Sequence, residues 1–141
     1  MRLQRGSAAL VCAFALVISA CGDNGPTIPA EQAVSGTYVA TTLLTTTGGV
    51  TTNQLTGGAS ITLVLNPDGT TSGRLFVPAS TAPQVDQQLT GTWSFFSPQD
   101  IDLASNSDTF LRDMLFTVTG NTLVGDQTFG STRIQVVLTK Q

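Results

Sequence analysis

From Gly36 to Lys140 the chain alternates apolar and polar residues in short runs, each broken by glycine, proline, asparagine or aspartate. A period of two over such a run marks a half-buried strand. The clearest unit is "ASITLVLNPDGTTSGRLFVP". Ile61, Leu63 and Leu65 alternate with Thr62, Val64 and Asn66, and the chain returns through Gly73, Leu75 and Val77. Between them "NPDG" makes a turn: Pro67 presets φ, Asp68 tolerates the second central position and Gly69 accepts positive φ.

The same pattern predicts the neighbouring strands. "GTYVATTLL" places Tyr38, Ala40, Thr42 and Leu44 on one side, and "LTGTWSFF" places Leu89, Gly91, Trp93 and Phe95 on another inner face. "PQDIDLAS" turns Ile101 and Leu103 inward. The segment from Met114 to Lys140 reads as a three-strand meander with turns at Gly120-Asn121 and near Gly130-Ser131, ending on Ile134, Val136 and Leu138. Thr45 to Gly58, "TTTGGVTTNQLTGG", is polar and flexible by composition. "SDTFLRDMLF" is ambiguous: Phe110, Leu111, Met114 and Leu115 have helical spacing, while Phe110, Arg112, Met114 and Phe116 alternate. Because "FTVTG" continues it as strand, the strand reading is favoured.

About eight strands joined by antiparallel turns can close on themselves, which removes exposed edges. The predicted fold is therefore all-β, an antiparallel up-and-down barrel. The interior of a barrel this size either packs solid or holds one small ligand.

The first residues carry a different pattern. Arg2 and Arg5 precede an apolar run from Ala8 to Ile18 that is short of the roughly 20 residues a spanning helix needs. This is the make-up of a secretory signal peptide. Its end, Ile18-Ser19-Ala20-Cys21, resembles the bacterial lipobox. The resemblance implies cleavage after residue 20 and lipidation of Cys21 with several acyl chains, palmitate among them; more than one chain gives a stable anchor. Gly22 stands where an aspartate would hold a lipoprotein at the inner membrane, so anchoring at the outer membrane is expected, with the body on its periplasmic or surface face. Residues 21–34 read as a lipidated cysteine and flexible tether, and residues 35–141 as one barrel domain.

Charge and composition narrow the chemistry. Removing residues 1–20 takes two of the six basic residues and none of the nine acidic ones, which leaves a net charge of −5. Such a chain lacks the clustered Lys and Arg that nucleic acid requires. It contains no histidine, Glu31 is its sole glutamate, and Cys12 leaves with the signal peptide. Serine–histidine triads, cysteine proteases and histidine-ligated zinc are thereby excluded. No catalytic residue, metal or cofactor is expected, and the protein reads as a non-enzyme.

Gly36-Thr37-Tyr38, Leu65 to Thr70, Gly91-Thr92-Trp93 and the closing "VVLTK" resemble the bacterial lipocalin-like lipoproteins in order. In lipocalins proper a basic side chain near the chain end lies over an aromatic ring of the first strand. The resemblance implies a Lys140–Tyr38 cation–π contact, with Tyr38 in the tryptophan position.

Two side-chain groups remain. Asp100, Asp102, Asn106 and Asp108 could offer oxygens to calcium, but their spacing is not that of an EF-hand, and a solvated strand face explains them as well. Arg112 faces inward if its segment is strand, ready for an anionic head group, or else emerges at the barrel mouth. The expected function is binding or sequestration of a small apolar or amphipathic molecule by a lipid-anchored barrel. Tyr38, Trp93, Phe95, Arg112, Met114 and Phe116 are the expected ligand contacts. Ala40, Gly73, Gly91 and Gly125 would leave space inside. The alternative is a solid-cored barrel serving the envelope as a structural or protein-interaction module, with the Thr45 to Gly58 loop facing a partner that the sequence does not name.

Overall fold

The computed structural model describes residues 30–79 and 83–141. Cys21, the expected signal peptide and most of the expected tether lie outside the described residues. One short helix, α1 (Ala30–Val34), precedes ten strands. These are β1 (Gly36–Thr47), β2 (Val50–Asn53), β3 (Ser60–Leu65), β4 (Thr70–Val77), β5 (Val85–Gln88), β6 (Gly91–Phe95), β7 (Asp100–Ser105), β8 (Phe116–Thr119), β9 (Thr122–Phe129) and β10 (Thr132–Lys140).

Eight of them form a closed antiparallel barrel in the order β1-β3-β4-β6-β7-β8-β9-β10, with β10 returning to β1. This architecture fits a lipocalin-like fold. β2 pairs with β1 beyond the stretch where β3 does, and β5 pairs with β4 beyond the stretch where β6 does. The barrel therefore has two unlike ends. Gly36, Leu65 and Lys140 lie at the end that carries α1, and Thr47, Val77 and Thr132 lie toward the end widened by β2 and β5.

The core follows the predicted alternation. Ile61, Leu63, Leu75, Ile101, Val136 and Leu138 are each 1% exposed or less, and burying each such side chain contributes roughly 1.5–3 kcal/mol. The "NPDG" hairpin forms as expected: Gly69 N–H donates to Asn66 O at 3.0 Å, and Gly69 has φ +82°. Asp68 Oδ1 accepts from the Thr70 amide at 2.9 Å and the Thr70 hydroxyl at 2.7 Å, which locks the turn.

Three expectations change. In β1 the pairing with β10 slips between Ala40 and Thr42, so Leu43 and Thr45, rather than Thr42 and Leu44, continue the inner face opposite Val136 and Ile134. An extra residue at a bulge inverts the alternation beyond it. The Thr45 to Gly58 segment is an ordered structure: β1 turns through Gly48 and Gly49, both at positive φ, into β2, and a turn over 53–59 follows. Finally, residues 106–115 form bends and turns, and strand begins only at Phe116. β7 and β8 pair at just two positions, which frees the intervening segment to turn Leu111 and Met114 into the interior. Neither a regular helix nor a strand forms over that segment, and Leu115, one of the four residues at helical spacing, is exposed.

Candidate functional site

The helix end is packed solid. Tyr38 is buried and donates its hydroxyl to Val34 O at 2.5 Å, and burial pushes its phenol pKa up. The last residue of α1 thus joins the core, and Ala30–Val34 belongs to the folded body. Tyr38 lies opposite Lys140 in the sheet, but the Lys140 ammonium donates to Ala33 O at 3.1 Å instead of stacking on the ring. The lysine stem fills the space beside Gly36. Trp93 donates its indole N–H to Asn66 O at 2.9 Å and meets Phe95 edge-on, with ring centroids 5.7 Å apart.

The small residues do not open this interior. A Cβ on Gly125 would collide with Met114 and the Phe116 ring, and one on Gly73 with the Thr62 backbone. Each glycine makes room for a neighbour that is already present.

Space lies toward the other end. A cavity of about 310 Å³ is lined by Leu43, Thr45, Thr47, Gln54, Val77, Val85, Phe110, Thr132 and Ile134. The Thr47 and Thr132 hydroxyls share a hydrogen bond of 2.8 Å, and exposed Thr47 marks where the cavity meets solvent. Leu43, Val77, Val85, Phe110 and Ile134 supply apolar walls, and no lining residue is charged.

Gln54 reaches this cavity because its backbone is held on all sides. Its N–H donates to Leu43 O at 2.8 Å, and its carbonyl accepts from Gly57 N at 3.1 Å and Ala59 N at 3.0 Å. Asn53 Oδ1 caps the same turn by accepting from Leu55 N at 3.0 Å. The Gln54 side chain donates through Nε2 to Thr45 Oγ1 at 2.6 Å, and Oε1 is buried without a partner among the described residues.

None of the six contacts expected from sequence lines the cavity. Tyr38, Trp93, Met114 and Phe116 are buried in the packed core, and Phe95 packs against it. Arg112 is held by Asp108 at 2.7 Å and Asp113 at 2.9 Å, with 37% of its side chain exposed. Sequence reasoning missed Gln54, Val85 and Phe110. For Gln54 the available signal was the turn chemistry of "NQLTGG", and for Phe110 its helical spacing to Met114.

The carboxylates are dispersed. Asp100 accepts from Thr117 Oγ1 at 2.7 Å and Ser97 Oγ at 2.8 Å, Asp102 accepts from Ser94 Oγ at 2.9 Å, and Asp108 pairs with Arg112. Among the described residues no cluster of three or more acidic, histidine or cysteine side chains could hold a metal ion. Asp86 pairs with Arg74 on the outer surface, and Asp126 with Arg133. The arrangement is one of a closed barrel with an uncharged recess at its widened end. No family model, curated protein or solved structure gives a significant match to the chain.

Proposed function

We propose that this is a non-enzymatic, lipid-anchored protein of the bacterial envelope whose barrel holds a small apolar or amphipathic molecule. The observation that carries the reading is the 310 Å³ cavity with its apolar walls. That volume falls at the lower edge of the roughly 300–1,000 Å³ common for ligand pockets. Affinity would come from removing apolar ligand surface from water, at roughly 25 cal/mol per Å². The anchor rests on the lipobox resemblance at Cys21 and on the expected outer-membrane sorting that Gly22 implies.

Two measurements test it. Metabolic labelling with palmitate should mark the full chain and leave the Cys21→Ala variant unlabelled; equal labelling would remove the anchor. A native mass spectrum of residues 22–141, expressed in the bacterial periplasm, should show a mass excess that denaturation releases. An apo mass, followed by failure of a panel of apolar probes to bind, would end the carrier reading. The alternative, an envelope interaction module, draws support from Val50, 69% exposed beside the Gly48-Gly49 turn. A protein partner at that hairpin would then be sought.

A further inference from the structure

Resting on the anchor reading, we infer that the barrel stands on the bilayer by its packed end, with Phe96 seated at the lipid surface and the cavity mouth held away from it. The two ends of the barrel carry different things. At one, α1 brings in the chain that leads back to Cys21, and its carbonyls at Ala33 and Val34 accept from Lys140 and Tyr38. At the other lie Thr47 and Thr132, the last β1–β10 pair, with Val77 opposite Val85, and all four line the cavity.

Chain length opposes the reverse placement. Gly22 to Pro29 are eight residues, which reach at most about 26–29 Å. From Gly36 to Thr47, β1 rises about 36 Å along the strand, and a typical barrel tilt of about 35–45° leaves about 25–30 Å along the axis. Turning the mouth to the membrane would take nearly the whole reach of those eight residues, at a cost in chain entropy.

Phe96 supplies the contact. Trp93 N–H donates to Gly69 O at 2.8 Å, so the turn that follows Phe95 lies at the packed end. Phe96 N–H donates to Asp100 O at 2.9 Å, which fixes the backbone, yet the side chain is 69% exposed and Pro98 is exposed beside it. An exposed aromatic ring gains by entering the membrane interface, and a short tether raises its effective concentration there. Glu31 and Asp68 are exposed at this end, and the Lys140 ammonium is committed to Ala33 O, so the surface favoured is zwitterionic lipid. With the mouth turned away, a ligand exchanges with the aqueous side and not laterally from the leaflet that holds the anchor.

The test uses the full chain, lipidated in bacteria and reconstituted into phosphatidylethanolamine–phosphatidylcholine vesicles. Because Cys21 is then acylated, Gln99→Cys at the packed end and Ser131→Cys at the mouth each offer one thiol to a fluorescent dye. Nitroxide on the lipid headgroups should quench the dye at position 99 several-fold more than the dye at 131. Phe96→Asp should narrow that contrast, and since Phe96 is exposed the variant keeps the packed core. Equal quenching at the two positions, or more at 131, overturns the inference and leaves the anchor reading in place. A contrast unchanged by Phe96→Asp overturns the Phe96 contact. A chain that does not float with the vesicles ends the anchor reading, and this inference with it.

Discussion

Tyr38 and Val34 are joined by a hydrogen bond of 2.5 Å from the phenol to the helix carbonyl, and this bond fastens α1 to the base of the barrel. Tyr38→Phe removes a donor and leaves that carbonyl wanting one. The expected cost is about 1–2 kcal/mol in urea unfolding, with faster amide exchange over residues 30–35.

The phenol also carries a pH signature. Burial raises its pKa, so the folded state holds the proton longer than the unfolded chain does, and the associated stability is present below about pH 10 and lost as pH rises toward the folded value. The chain has one tyrosine, so its ultraviolet titration reads this group directly. The native midpoint should lie above that of the unfolded protein, and a coincident midpoint would show the phenol to be solvated.

Gly125 gives up its side-chain space to Met114 and Phe116. Gly125→Ala should cost roughly 1–3 kcal/mol by overpacking. Met114→Ala should relieve most of that cost, so a double-mutant cycle of urea midpoints should show clear coupling. Strict additivity would mean that the two residues do not compete for the same volume.

Acid should weaken the fold through its surface carboxylates. Arg74 holds Asp86 below the usual range, Arg112 does so for Asp113, and Arg133 for Asp126; Thr117 and Ser97 hydroxyls lower Asp100. Depressed folded pKa values mean that the stabilisation is present above about pH 4 and lost as pH falls below it. Urea midpoints should therefore be level near neutrality and decline in acid. All these pairs are solvent-exposed, so added salt should flatten the decline.

Trp93 reports which end of the barrel a ligand occupies. Its indole sits against Asn66 in the packed end, while the cavity is lined by Phe110, Val85 and Gln54. Saturating 1-octanol should leave the Trp93 emission maximum unmoved, and Phe110→Ala should weaken octanol binding. A marked Trp93 shift would place the ligand among the aromatic residues expected from sequence alone.

Alternation and turn chemistry determined much of this protein. They located the "NPDG" hairpin, the inward faces of β3, β4, β6, β7 and β10, and the meander that ends at Lys140, because strand periodicity and turn residues act over a few neighbours. They also placed Lys140 beside the start of β1, since antiparallel closure requires it. What the sequence could not reveal depends on contacts between distant segments. The slip at Ala40 and Thr42 exists only because β10 lies alongside, and it carries Leu43 and Thr45 to the inner face. Leu111 and Met114 leave strand geometry because a space beside Gly125 accepts Met114. Gln54 sits in the cavity because Leu43, Gly57 and Ala59 grip its backbone. Aromatic residues look like a ligand wall in a one-dimensional reading, but large side chains are the ones that fill a core. The recess formed where β2 and β5 widen the barrel, and only the tertiary pairing decided where that was.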